Sequence, residues 1–245
     1  VILAFRQIEP ASANEVASKP DLIFLHGTGS NSHMWDKQAD YFSRLGYRSF
    51  LIDLRGHGES EEPYEKASLE TYKTDVIDTL ATTKANYPAY FIGHSLGSLI
   101  GVALAEEYPE LFAGIFAASY PADVATPLLL ALRAAVRGPL QLVQKTGVHK
   151  NFAWRERTLF EMDPHTLDQL AILFRDENWL NRDLKLRCPI HFSVGRFDPV
   201  ALSFQVKEIQ KRTPNSSLQI IDWGAHNFMD ASPNEFNTWI LSHLP

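Results

Sequence analysis

The chain has 245 residues, of which 45% are hydrophobic and 21% charged, with 15 Phe, 5 Trp and a formal net charge of −6. That length can bury a substantial core as one large domain or two small ones. The acidic balance and the lack of a basic run argue against a nucleic-acid partner, and no apolar stretch nears the ~20 residues of a membrane span.

In chain order, six apolar runs read as buried strands: DLIFLHG (21–27), SFLIDLRG (49–56), AYFIGHS (89–95), GIFAAS (114–119), PIHFSVG (189–195) and LQIIDWG (218–224). Near-continuous apolar runs, as opposed to strict alternation, mark strands covered on both faces. Helical segments are expected at 68–84 with Ser68 as N-cap, at 95–107, at 201–212 and at 234–244. Strands alternating with helices give an α/β fold with a mostly parallel sheet. The stretch 121–187 breaks the rhythm, with helical material and no convincing strand; Asp163-Pro164 supplies an N-cap and first-turn pair there. It reads as an all-helical cap over a core formed by 1–120 and 188–245. Its stripe Leu128, Leu129, Leu130, Leu132 suits either docking onto the core or lining an acyl pocket.

The single Cys188 fits a small buried hydrophobe and a reducing, cytoplasmic compartment. The first residue is Val1, not Met, which reads as trimming or processing.

In an open parallel sheet the ligand site lies outside the carboxyl ends of the strands. Four of these ends carry chemistry. Gly93-His94-Ser95-Leu96-Gly97 matches the G-x-S-x-G nucleophile elbow, a strand-to-helix turn that exposes a serine. A serine hydroxyl needs a base, and the base needs a carboxylate to fix its tautomer and balance its developing charge. His226 and Asp198 follow later strands in the expected order, with Asp123 as a rival acid near the end of 114–119. The backbone N–H of Leu96 and that of Thr28 are the expected oxyanion donors. His26, His57 and Asp53 read as loop braces, and His94 as a structural residue whose side chain points away from the nucleophile. Trp35 reads as packing, and His33 beside it as a pocket or packing residue.

The segments LHGTGSNSHMW, DLRGHGES, GHSLGS, VGRFDPV and GAHNF together resemble the α/β-hydrolase family, of the compact type with a helical cap. The resemblance covers nearly everything outside 121–187. It departs in Ser98, where many relatives have glycine, and in Ala225 before His226, where they have glycine; neither position is expected to touch the reacting groups. It implies a serine hydrolase of esters, thioesters, lactones or amides, with a Ser95–Asp198–His226 triad, a small-molecule substrate, and no cofactor or metal. The expected substrate is a carboxylic ester with a small to medium, rather apolar acyl group. C–C hydrolase, thioesterase and perhydrolase or haloperoxidase-like activities use the same triad. A small-molecule receptor on a hydrolase fold is the reading of another class.

Overall fold

The computed structural model describes residues 1–11, 19–60, 68–152 and 154–245. Seven strands form one sheet: β1 Phe5–Ile8, β2 Leu22–Leu25, β3 Ser49–Ile52, β4 Ala89–His94, β5 Phe112–Ala118, β6 Ile190–Gly195 and β7 Ser216–Ile221. Their order is β1-β3-β2-β4-β5-β6-β7, with β1 antiparallel to β3 and every other pairing parallel. All six expected strands are present. β1 adds a seventh that the apolar-run pattern misses, because Phe-Arg-Gln-Ile is an edge strand and only partly buried.

The strand residues explain why the sheet is covered on both sides. Along β2, Ile23 and Leu25 join one buried cluster while Leu22 and Phe24 join another; in β5, Ile115 and Ala117 face the first and Phe116 and Ala118 the second. That is the period of two expected of a pleated strand. The first face is packed by α2 Leu69–Thr82, α3 Leu96–Glu107 and α8 Ser203–Arg212. The second is packed by α1 Asp36–Arg44, α9 Phe228–Ala231 and α10 Pro233–Leu241. Ser68 caps α2 as expected, in a reciprocal capping box with Thr71. α1 was not among the expected helices: Asp-Lys-Gln-Ala-Asp-Tyr-Phe-Ser-Arg reads as polar, and it buries mainly Ala39 and Phe42 between Gln38 and Ser43.

Between β5 and β6 the described residues hold helices and no strand: α4 Thr126–Ala135, α5 Gln141–Thr146, α6 Trp154–Glu161 and α7 Pro164–Asp176. A π-helical stretch, Val136–Leu140, joins α4 to α5 and contains Pro139. The Asp163 side chain accepts from the Thr166 N–H at 2.8 Å ahead of Pro164, which fixes the start of α7. These helices share an apolar cluster with the sheet: Leu129, Leu167 and Leu170 belong with Ile23, Ile115 and Phe192.

Chain direction across the sheet reverses at β2, since β3 lies on one side of it and β4 on the other. The ends of β2 and β4 therefore flank a topological switch point, where open α/β sheets bind their ligands. The register pairs Leu25 with Gly93, so the loops that carry Thr28 and Ser95 leave the sheet side by side.

Candidate active site

β4 ends at His94 and α3 begins at Leu96, so Ser95 turns the chain alone. Its φ of 49° and ψ of −113° are a backbone that non-glycine residues seldom adopt. Neighbours hold it there. Its N–H donates to the Ala118 carbonyl at 2.9 Å, and its own carbonyl accepts from the Ser98 and Leu99 N–H groups at 3.0 and 3.1 Å. The Ser98 hydroxyl donates to the same carbonyl at 2.6 Å. Ser98 thus ties down the turn. The flanking glycines answer to close approach: a Cβ on Gly97 would run into the Leu25 carbonyl, and one on Gly93 into the backbone at Gly97 and Ser98.

Asp198 follows β6 and His226 follows β7. His226 Nδ1–H donates to the Asp198 carboxylate, at 2.9 Å from Oδ1 and 3.0 Å from Oδ2. Asp198 is buried, and its Oδ1 also accepts from the Val200 and Ala201 N–H groups, both at 2.9 Å. Burial raises its pKa, but the hydrogen bond and charge of His226 and the hydrogen bond from the Ala201 N–H outweigh that, leaving it below the usual carboxylate range. With Nδ1 donating, Nε2 is the basic ring nitrogen. Asp123 lies beyond β5, and the carboxylate bonded to His226 is that of Asp198.

Two side chains that the sequence did not connect to this site reach it. His94 does not point away: its ring lies 4.7 Å from that of His226, and its Nε2–H donates to the His226 carbonyl at 2.9 Å. The cause is strand parity. His94 shares a sheet face with Ile92, the face covered by α9 and α10, and the loop bearing His226 leads directly into α9. Ser119 follows β5, and its hydroxyl donates to the same carbonyl at 3.0 Å. The register pairs His94 with Ala118, which sets Ser119 level with Ser95. Parity was the available signal for His94; for Ser119 nothing short of strand register would have served.

The loop after β2 is braced by two buried histidines. His26 Nδ1–H donates to the Gly27 carbonyl at 2.8 Å, and the Leu54 N–H donates to its Nε2 at 2.9 Å. The Gly29 N–H donates to His57 Nε2 at 3.2 Å, while His57 Nδ1–H donates to the Arg55 carbonyl at 2.8 Å. Both rings are thereby neutral. Burial, then the neighbouring His26, pushes the His57 pKa down to about 3, and burial lowers that of His26. Asp53 accepts from the Ser32 N–H at 2.5 Å and the Glu59 N–H at 3.0 Å, joining two loops. At the start of α3, Leu96 N–H is one of the first-turn donors that a helix leaves without an internal acceptor.

Ser95, His226 and Thr28 line a cavity of about 220 Å³. Its remaining walls are apolar, chiefly Val124, Leu128, Leu129, Leu132, Leu159 and Phe174, and no Asp, Glu, Lys or Arg lines it among the described residues. Of the leucine stripe, Leu128, Leu129 and Leu132 line the cavity, Leu129 also belongs to the core, and Leu130 is exposed. Leu159 comes from α6, where Thr158 Oγ1 donates to the Gly29 carbonyl at 2.9 Å. Gly29 has a φ of 75°, and a Cβ there would strike Leu159. The other face of α6, with Trp154, Arg157 and Glu161, lines a second, polar cavity of about 600 Å³. Trp35 is buried, stacked on Phe236, whereas His33 is exposed and bonded to Asp36. Cys188 is buried, and burial pushes its thiol up to about 11. Among the described residues no group of three or more His, Cys, Asp or Glu could hold a metal ion, and no helix is long and apolar enough to cross a membrane.

Over 91 residues the chain is 38% identical to the mouse protein ABHD8, an overlap of 37% of this chain and 21% of that protein. Over 137 residues it is 30% identical to the 2-(acetamidomethylene)succinate hydrolase of Mesorhizobium japonicum, covering 54% of this chain and 47% of that enzyme. The chain thus spans between about a fifth and a half of these curated relatives. Its fold matches that of the esterase EaEST from Exiguobacterium antarcticum with a TM-score of 0.84, at 18% identity, over 98% of this chain and 94% of that one. A family model described as the alpha/beta hydrolase fold matches residues 20–146, a span that includes Thr28 and Ser95 and stops short of Asp198 and His226. With more than half of its length inside that match, and with the sheet order and helical cap described above, the chain belongs to the alpha/beta hydrolase fold family.

Proposed function

We propose that the chain is a serine hydrolase that cleaves carboxylic esters of small to medium apolar acids through an acyl-enzyme on Ser95. The observation that carries this reading is the His226–Asp198 hydrogen bond, at 2.9 Å, beside an apolar cavity that His226 shares with Ser95.

His226 Nε2 takes the Ser95 proton as Oγ attacks the ester carbonyl. The tetrahedral oxyanion is met by the N–H groups of Thr28 and Leu96, the latter at the positive end of α3. Collapse expels the alcohol, which takes its proton from the His226 imidazolium. Water, deprotonated by His226, then releases the acid by the same path in reverse. Asp198 holds the ring in the Nδ1–H tautomer and stabilises its positive charge. Hydrolase names among the relatives, such as that of the Mesorhizobium enzyme, support a bond-cleaving role.

The cavity narrows the substrate. With no cation among its described wall residues it does not favour a carboxylate-bearing acyl group. At ~30 Å³ per water-sized group its volume suits an acyl chain of about four to eight carbons.

The test is a p-nitrophenyl ester series from acetate to decanoate, run beside an acyl-CoA and a vinylogous diketone, together with fluorophosphonate labelling. kcat/KM should peak at intermediate acyl length, and Ser95→Ala should abolish labelling and lower kcat on the order of 10⁴-fold or more. Full activity in Ser95→Ala overturns the triad. A preference for the thioester or the diketone moves the activity to one of the other bonds served by the same residues.

A further inference from the structure

The geometry points to His94 and Ser119 as a pair of positioning residues that clamp the main chain of His226 from two neighbouring strand ends. This rests on the reading above, in which His226 is the base.

A catalytic imidazole must keep its place while it gains and loses a proton. The bond from Nδ1 to Asp198 fixes the ring but not the backbone that carries it, and His226 lies in a loop between β7 and α9. Its carbonyl is where the loop is held. One carbonyl accepts two side-chain hydrogen bonds, from His94 Nε2–H at 2.9 Å and from Ser119 Oγ–H at 3.0 Å. Since a carbonyl can only accept, His94 must carry its proton on Nε2 to make this bond. His94 immediately precedes Ser95, so the strand that presents the nucleophile also grips the loop that presents the base.

Ser119 is fully buried, with a φ of 49°. Left-handed backbone is uncommon for a non-glycine residue, and a glycine would adopt it without strain but would bring no hydroxyl. The hydroxyl has one proton and two acceptors in reach, the His226 carbonyl and the Asp198 carboxylate. That proton goes to the His226 carbonyl at 3.0 Å, so Ser119 holds the backbone of the base beside the carboxylate that orients its ring. Its own N–H donates to the Ser193 carbonyl at 2.8 Å, which anchors the turn to β6, the strand leading to Asp198. The three strands β4, β5 and β6 thus converge on the placement of one imidazole.

The experiment uses the full chain and compares Ser119→Ala, His94→Leu, the double variant, and His94→Gln, whose amide N–H can replace the lost donor. kcat and KM on the best p-nitrophenyl ester are measured with the melting temperature and the downfield proton resonance of His226 Nδ1–H. Each single loss should lower kcat about 10- to 100-fold, the scale of a small misplacement of a catalytic group, with KM changed less than threefold. Because both donors serve one carbonyl, the double variant should lose less than the product of the singles. His94→Gln should recover at least half of the lost logarithm of kcat, and the Nδ1–H resonance should shift or broaden in Ser119→Ala and His94→Leu. Unchanged kcat in both singles, with Ser95→Ala inactive, overturns the clamp and leaves the triad standing. Losses that follow melting temperature alone, with no rescue by glutamine and an unmoved resonance, also overturn it. Full activity in Ser95→Ala removes the triad reading itself.

Discussion

The two cavities on either side of α6 differ in size, polarity and relation to the sheet. The polar one is nearly three times larger, at about 600 against 220 Å³, and is walled by Asp36, Asp53, Glu59, Arg157 and Glu161 among others. The smaller one has almost no polar wall beyond Thr28, Ser95 and His226. With the proposed chemistry in the smaller cavity, volume is a poor guide to the active site in this fold. The smaller cavity is fed by the ends of β2 and β4 at the reversal of chain direction, and by the loops after β6 and β7. The larger one collects side chains that the loops after β2 and β3 need to hold their own shape, such as Asp53 and His57.

Substitutions that treat the cavities differently can break this comparison. The largest effect is expected for Leu132→Asp, which buries a carboxylate in the apolar wall. It should lower kcat/KM about 100-fold for a hexanoate ester and much less for the acetate, read from the same ester series. Next is Thr158→Val, which keeps the shape of the side chain but removes the donor to the Gly29 carbonyl. A fall of about tenfold in kcat, with KM nearly constant, is expected if the slackened loop carries the proposed oxyanion donor, Thr28. Unchanged kcat would show that α6 does not support that loop.

A smaller and different effect belongs to stability. In the folded chain the His57 pKa is about 3, against an ordinary 6.5, so the native ring refuses a proton that the unfolded chain accepts. Its stabilising contribution is complete above pH 6.5 and declines as pH falls towards 3, by up to about 1.4 kcal/mol per pH unit. Urea midpoints between pH 7 and pH 5 should fall, and His57→Gln should flatten that slope. The smallest effect is expected for Arg157→Gln in the polar cavity, with kcat/KM within about twofold of the parent on every ester. If it instead costs more than Leu132→Asp, the larger cavity holds the substrate and the comparison is reversed.

Much of this was legible in the sequence because the sheet is buried on both faces. Runs such as LIFL and FIGH announce parallel strands, and parallel strands end on one edge, so Thr28, Ser95, Asp198 and His226 fall together before any coordinates are known. What escaped was either too polar or too tertiary. β1 and α1 carry few apolar residues and owe their structure to the sheet, β1 by pairing with β3 and α1 by packing on one face. The contact of His94 depends on which helices cover its sheet face, and that of Ser119 on the pairing of β4 with β5. Neither property is written in a local window. The leucine stripe proved divided, with three residues in the cavity and Leu130 exposed, since a helix shows different sides to core, ligand and water.

The hydrogen bond from Thr158 to Gly29 makes the cap less interchangeable than a lid would be. Leu159 shapes the apolar cavity beside Ser95, and the residue before it grips the loop that carries Thr28. On the proposed function, selectivity and turnover are therefore wired through adjacent side chains of one helix turn. A designer who grafts a foreign cap onto this core to change its diet must also transplant a hydroxyl at position 158, or accept a catalyst that recognises its new substrate and converts it slowly.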